Sequence, residues 1–406
     1  MNEHEHKKRL QEVKRRLIST DSFISYGHQS VSEEDIEAVA QVLRSPYLTT
    51  GPVAAEFESA LCDLTGTKHA IVCSNGTTAL HLACLGLGID RGDLGVTSPI
   101  TFLASANCVE FCGGRADFVD IDPDTLCLSP EKLEYYCKNV AVPKVVIPVD
   151  FAGVPADLPA INALSKKFGF KIIEDAAHSI GSSYEWDGRR ISCGACAHSD
   201  LAIFSFHPVK TITTGEGGAI LTNDDKLADR IRLMRSHGME KRADLLTKND
   251  GLWYYEMADI SYNCRITDFQ CALGKSQLKK LQSFKTRRQE IVDRYNTAFS
   301  AFAELLLPPA PKGNSTCYHL YVLRFQDGGQ KRYEAFHKLW KSKIYCQIHY
   351  IPVYWQPYYK KKYNYPAGKC PDAERYYSQC LSLPLYPALS NDEVDYVINA
   401  VIDSVK

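Results

Sequence analysis

The chain has 406 residues, 45% of them hydrophobic and 23% charged, the balance of an ordinary globular protein able to bury a large core. Its formal charge of −1 at pH 7 gives no bulk attraction to nucleic acid or to an anionic membrane surface. No apolar run approaches the roughly 18 residues that span a bilayer and no signal-like segment appears near the N-terminus, so a cytoplasmic location is expected.

In chain order, MNEHEHKKRLQEVKRRLIST mixes both signs of charge, and Leu10, Val13 and Leu17 stripe one helix face. This predicts a charged, peripheral helical extension over residues 1–22. Its basic residues alternate with glutamates, which favours a solvated face over a nucleic-acid tail. Residues 23–285 form the expected large domain. VSEEDIEAVAQVLRS reads as a helix with Ser32 at its N-cap and acidic residues in its first turn. Strand-like HAIVC, RADFVDID, KVVIPVDF, FKIIEDAA, DLAIFSF and GGAILTND then alternate with helical TTALHLACLGLG, SANCVEFCGG and DLPAINALSKKFG. Near-continuous apolar strands between helices predict an α/β fold with a mostly parallel sheet covered on both faces. One long helix is expected from 268 to about 301. It leads into a smaller α+β domain over residues 286–406, where YHLYVLRF and CQIHYIPV read as strands.

The fifteen cysteines are odd in number, and several, such as Cys73, Cys84, Cys108 and Cys271, sit inside apolar segments. They read as reduced thiols used as small hydrophobes. Cys193-Gly-Ala-Cys196 has metal-ligand or redox spacing, but no second pair accompanies it. A plain loop is the favoured reading, and no metal is expected.

Sheets of this kind bind ligands beyond the C-terminal ends of their strands, and three motifs fall there. In CSNGTTAL a strand ends, Gly76 allows close backbone approach, and Thr77 and Thr78 open a helix whose free N–H groups suit a phosphate. Alone, this motif reads more readily as an ordinary capped turn, because such turns are common. In FKIIEDAAHS, Asp175 stands at a strand end, as a desolvated acid awaiting a cation or as one satisfied by backbone amides. In FSFHPVKTITTGEGGAI, Lys210 follows Phe204, Phe206 and Pro208 and precedes a Thr/Gly run that stiffens the backbone. A desolvated lysine loses its proton more readily and becomes nucleophilic. Ser205 can offer a hydroxyl to the same phosphate as Thr77, and Phe102 in SPITFLASAN offers a ring to stack on. A phosphate cradle, a carboxylate for a pyridine nitrogen, a lysine for an aldehyde and an apolar ring are together what pyridoxal 5′-phosphate requires.

The blocks SNGTTALH, PITFLASAN, IPVDFAGVPADL, IIEDAAHSIGSSYEWDGRR, FSFHPVKTITTGEGGAILTND, LMRSHGM and SYNCRITDFQCALGKSQL, in this order, resemble the DegT-type sugar-nucleotide aminotransferases. The resemblance runs from residue 24 to about 390. It implies the fold-type I, aspartate aminotransferase-like architecture, with a seven-stranded sheet in the large domain. It also implies Lys210 as the catalytic lysine, Asp175 as partner of the pyridine nitrogen, and Phe102 stacked on the ring. Gly76, Thr77 and Ser205 would contact the phosphate, and His178 would lie near the cofactor's hydroxyl. Asn263 would reach the phosphate of a neighbouring subunit, which implies a homodimer. Thr49, Arg265, His349 and Tyr350 would line the sugar-nucleotide entrance. His349 also reads as a satisfied core histidine, although HYIPVYWQPYY is too aromatic and irregular for a plain strand. Cys264 stands where the family usually has an aromatic residue.

Within the family the chain is most similar to UDP-4-amino-4,6-dideoxy-N-acetyl-β-L-altrosamine transaminases, through IRLMRSHGM, FQCALGKSQLKKL and CQIHYIPVYWQPYYKKKY. That implies glutamate as amino donor and C4 of a UDP-linked 4-keto-6-deoxy-N-acetylhexosamine as acceptor, on the route to pseudaminic acid. Other 4-keto sugars, of the bacillosamine, perosamine or aminoarabinose type, are the alternative. A sugar 3-dehydratase would carry histidine in place of Lys210, and a ligand-binding protein without turnover would not need an intact lysine, acid and cradle.

Overall fold

The structure, a computed structural model, describes residues 3–20 and 22–405. Seven strands build its central sheet: β1 (His69–Cys73), β2 (Leu94–Thr97), β3 (Arg115–Phe118), β4 (Val145–Ile147), β5 (Lys171–Asp175), β6 (Leu201–Ser205) and β7 (Gly218–Thr222). Their order is β1-β7-β6-β5-β4-β2-β3, and only β7 runs antiparallel to its neighbours. Alternate residues feed two cores. Ile71, Ile203 and Ile220 join one face, while Val72, Phe204 and Leu221 join the other. A strand buried on both faces has no polar position to spare, which is why these segments read as unbroken apolar runs. The mostly parallel, seven-stranded α/β architecture expected from the sequence is present.

A third core lies in the C-terminal part, around Tyr295, Phe299, Tyr321, Leu323 and Val397. Its three-stranded antiparallel sheet places Tyr321–Phe325 between Leu305–Leu306 and Cys380–Leu383. The N-terminal helix Glu3–Ser19 is seated on this core through Val13 and Leu17, and Arg16 pairs with Glu393. Ile24 and Ser25 then pair in parallel with Ile344 and Tyr345.

Two expected elements differ. The single long helix is two, Asp268–Leu278 and Leu281–Phe299. The break at Lys279 and Lys280 lets Lys280 reach Asp35, which is fully buried in the Ser32-capped helix Glu33–Leu43. Asp35 also accepts hydrogen bonds from Ser32 N at 2.9 Å and Gln277 Nε2 at 2.7 Å, so the interruption is fixed by a buried polar cluster. CQIHYIPV, residues 346–353, is not a strand; the strand before it ends at Tyr345. It runs irregularly, with an isolated bridge from Gln347 to Ser382, into the short 3-10 turn Val353–Trp355. Among the described residues no helix is long and apolar enough to cross a membrane.

Candidate active site

The C-terminal ends of β1, β5 and β6 open into one cavity of about 860 Å³. It gathers nine of the residues singled out from the sequence: Gly76, Thr77, Phe102, Asp175, His178, Ser205, Lys210, His349 and Tyr350. Thr49, Asn263 and Arg265 lie outside it. Thr49 and Asn263 are exposed, and Arg265 is half-buried.

Beyond β1, Asn75 adopts an extended conformation and caps the helix Gly76–Gly86, accepting from Thr78 N at 2.8 Å. Ala79 N is taken by the Asn75 carbonyl at 3.0 Å. The amides of Gly76 and Thr77 are therefore the ones left for an anion. Close packing makes this cradle glycine-dependent. A Cβ on Gly76 would lie 2.8 Å from Ser205 Cβ, and one on Gly218 would lie 2.6 Å from the Asn75 carbonyl.

Lys210 sits in the hairpin between β6 and β7, and the Thr/Gly run holds that hairpin by its own hydrogen bonds. Lys210 N donates to His207 O at 2.9 Å, and Thr214 N and Thr213 Oγ1 both donate to Phe206 O at 3.0 Å. Gly215 N donates to Thr213 Oγ1 at 2.9 Å, with Gly215 in the left-handed region at φ 79°. No hydrogen bond or ion pair ties the Lys210 ammonium to another described residue. Burial lowers its pKa to about 8, partly opposed by the charge of Asp175. Burial likewise raises the pKa of Asp175, against the pull of a Ser105 hydrogen bond, the Ala177 amide and Lys210. Asp175 Oδ2 accepts from Ser105 Oγ at 2.5 Å, and Oδ1 accepts from Ala177 N at 3.2 Å.

His178 accepts from Ala152 N at Nδ1, 3.3 Å, which fixes its proton on Nε2, 3.3 Å from the Tyr350 hydroxyl. Burial, with Lys210 and His349 nearby, keeps it neutral well below the usual histidine range. His349 is buried, and its Nδ1 lies 2.8 Å from Ser382 Oγ, so it is a satisfied core histidine that also lines the cavity. Phe102 leaves 57% of its surface open at the cavity wall, as a ring with a free face must.

Three residues of this centre were not singled out in the sequence. Ser105 follows Phe102 by one helical turn, a spacing that could have flagged it. Tyr26 lines the cavity, its ring 5.0 Å from that of His349, and nothing local marks it. His319 places its ring 4.4 Å from that of His178, tilted by 46°, and reaches it from the C-terminal part of the chain, a proximity that only the fold creates. Cys193 and Cys196 are buried free thiols, and Cys193 meets the buried carboxyls of Asp150 and Glu174 within 4.8 Å.

Residues 29–402 match the DegT/DnrJ/EryC1/StrS aminotransferase family. The chain belongs to this family. As a DegT-type aminotransferase it is 39% identical over 387 residues to the spore coat polysaccharide biosynthesis protein SpsC of Bacillus subtilis, covering 95% of this chain and 97% of that one. It is 36% identical over 391 residues to a UDP-4-amino-4,6-dideoxy-N-acetyl-beta-L-altrosamine transaminase of Campylobacter jejuni, covering 94% and 98%. Among solved structures it superposes on Helicobacter pylori PseC, an aminotransferase of pseudoaminic acid biosynthesis, with a TM-score of 0.84 at 31% identity over 94% of this chain and 99% of that one. The PLP and PMP forms of the Streptococcus pneumoniae sugar aminotransferase Spr1654 give the same score at 28% identity; the PLP form covers 94% of this chain and 98% of its own. The cofactor of this DegT-type chain is pyridoxal 5′-phosphate, and the unpaired lysine, the buried acid and the glycine-lined amide cradle fit it.

Proposed function

We propose that this protein transfers an amino group from glutamate to C4 of a UDP-linked 4-keto-6-deoxy-N-acetylhexosamine, the step that leads to pseudaminic acid. One observation carries the aminotransferase chemistry: a half-buried, unpaired Lys210 faces the same cavity as buried Asp175 and the free amides of Gly76 and Thr77. The substrate reading rests on the altrosamine transaminase and PseC likenesses, which extend over nearly the whole chain.

Bound there, the cofactor supplies an electron-withdrawing ring that stabilises negative charge on the carbon next to the transferred nitrogen. The Gly76 and Thr77 amides, with Ser205, would hold its phosphate. Asp175 would hold the ring nitrogen's proton through a charge-assisted hydrogen bond, and Phe102 would offer its ring as a stacking surface. Lys210 Nζ, its pKa lowered to about 8 by burial, takes a proton from the donor's α-carbon and delivers one to sugar C4 in the return half-reaction. His178 presents its Nε2–H within the cavity toward Tyr350. His349, Tyr350, Thr49 and Arg265 are assigned to the sugar-nucleotide side.

The protein acts as a homodimer in this reading. Exposed apolar residues surround Thr49 and Asn263: Tyr47 and Leu48 beside one, and Ile260 and Tyr262, 81% and 70% exposed, beside the other. Such a surface suits a second copy, and it lets Asn263 complete the phosphate site of that copy. The likeness to SpsC supports a second reading, in which another nucleotide-linked 4-keto sugar is the acceptor.

The test is to convert the holoenzyme with glutamate, remove the glutamate, and offer UDP-linked 4-keto sugars one at a time. Amino-sugar formation, read by mass spectrometry, is expected with the β-L-arabino 4-ketosugar and not with its D-xylo epimer. The reverse preference overturns the pseudaminic assignment and leaves the aminotransferase chemistry standing.

A further inference from the structure

We infer that His319 is a positioning residue of this centre: it keeps the His178 ring in one orientation, with Nε2–H toward the cavity, through a main-chain bond to Ala152 and a ring contact. His319 is not among the residues that line the cavity. It lies just before the strand Tyr321–Phe325, in the C-terminal part of the chain, and is buried, as is His178. The inference rests on the cofactor-binding centre described above and not on which sugar accepts the amino group.

The main-chain contact runs through one residue. His319 N donates to Ala152 O at 2.9 Å, and Ala152 N donates to His178 Nδ1 at 3.3 Å. Ala152 sits in the left-handed region at φ 58°, which a residue with a Cβ adopts only when its surroundings hold it there. The segment around His319 does so. A Cβ on the next residue, Gly153, would lie 2.3 Å from Cys317 O, and Ser182 Oγ bridges the two strands, donating to Gly153 O and accepting from Cys317 N, both at 2.7 Å. Arg288 fixes that segment in turn. It is 1% exposed, forms no ion pair among the described residues, and donates through Nη1 to Tyr318 O at 3.2 Å, His319 O at 3.3 Å and Leu385 O at 2.9 Å. A buried cation is costly, and this one spends its hydrogen bonds on carbonyls at and beside His319.

The ring supplies the second contact. Its centroid lies 4.4 Å from that of His178, with the planes 46° apart. His319 Nδ1 is buried without a hydrogen-bond partner among the described residues, so what this ring gives His178 is packing. Packing is what His178 needs. Its bond from Ala152 N, at 3.3 Å, is past the usual range and weak on its own. A half-turn of the His178 ring about Cβ–Cγ would put a carbon where Nδ1 meets Ala152 N, and another where Nε2 stands 3.3 Å from the Tyr350 hydroxyl. The cavity would then lose a hydrogen-bond donor without losing a residue.

The experiment uses the holoenzyme, with nitrogen-15 in its histidines, as wild type, H319A, H319L and H319F; H178Q identifies the His178 signals. Long-range proton–nitrogen spectra of the wild type are expected to show one His178 form, with Nδ1 bare and Nε2 protonated. H319A and H319L both remove the flat ring and should give two His178 forms or averaged nitrogen shifts. H319F keeps a ring and should return the single form. The cofactor dissociation constant should rise at least about tenfold in H319A and fall back in H319F, as when a hydrogen bond to a charged group is lost and restored. Neither readout involves the amino donor or the sugar, so an error in either leaves this test intact. A wild-type His178 protonated on Nδ1, a single unchanged form in H319A or H319L, or no recovery in H319F overturns the inference.

Discussion

Ser105 Oγ donates to Asp175 Oδ2 across 2.5 Å, joining the helix Ala104–Phe111 to the end of β5. Thr101 Oγ1 stands 2.8 Å behind Ser105, so the acid is held by a short buried hydroxyl relay. A hydrogen bond to a charged group contributes about 1.5–3 kcal/mol. S105A should therefore weaken cofactor affinity roughly 10- to 100-fold. It should also move the acid limb of the rate profile to higher pH, because the Ser105 bond lowers the pKa of Asp175. S105T should restore most of both. Cofactor titration and pH–rate profiles of the three proteins check this.

Gly76 has no room for a side chain, since an added Cβ would sit 2.8 Å from Ser205 Cβ and 3.0 Å from its Oγ. G76A should push Ser205 out of the cradle and lower cofactor affinity at least about tenfold, with little change in thermal stability of the apo protein. The double variant G76A/S205G should recover part of the loss. An unchanged dissociation constant in G76A would remove the cradle role from this turn.

The sheet and the motifs at its strand ends were legible because both depend on local signals. Buried strands write themselves as apolar runs, and the lysine, the acid and the glycine turn are each flanked by their own structural context. Contacts between distant segments were not legible. The amphipathic pattern of FQCALGKSQLKKLQSFKTRRQE continues through Lys280, yet the helix is interrupted there, where Lys280 pairs with Asp35 some 245 positions away. His319 and Tyr26 enter the centre from the C-terminal part of the chain and from the N-terminal segment, with no motif of their own. CQIHYIPV has the composition of a strand, but the strand pairing with Ile24 and Ser25 stops at Tyr345, just before it, and within it only Gln347 forms an isolated bridge, to Ser382.

Lys210 is held in the cavity at a cost to the apo protein's stability. Its pKa falls from 10.5 to about 8 on folding. Below pH 8 both folded and unfolded chains carry the proton, and the folded state bears the full desolvation cost. Between pH 8 and 10.5 the unfolded chain binds the proton and the folded chain does not, so stability rises with pH through that window. K210M removes the charge at all pH values. The apo variant should exceed apo wild type at pH 7 by up to about 3 kcal/mol, a margin that shrinks toward pH 10.5. Urea midpoints of the two apo proteins at pH 7 and pH 9.5 give the answer, and K210M should show no transamination at either pH.

Asn263 is exposed, and its Oδ1 accepts only from Arg265 N at 3.2 Å, so within one chain it has no business with the cavity. If it serves the phosphate of a second copy, its loss and the loss of Lys210 fall in different chains of any given site. K210A and N263A should each be nearly inactive as pure proteins. Random mixing of the two chains makes about half of the dimers mixed, and each mixed dimer holds one site with both residues intact. Co-refolding the variants in equal amounts should then restore about a quarter of wild-type activity. Were Asn263 to serve its own chain, every site in the mixed dimer would lack one of the two residues, and mixing would restore nothing.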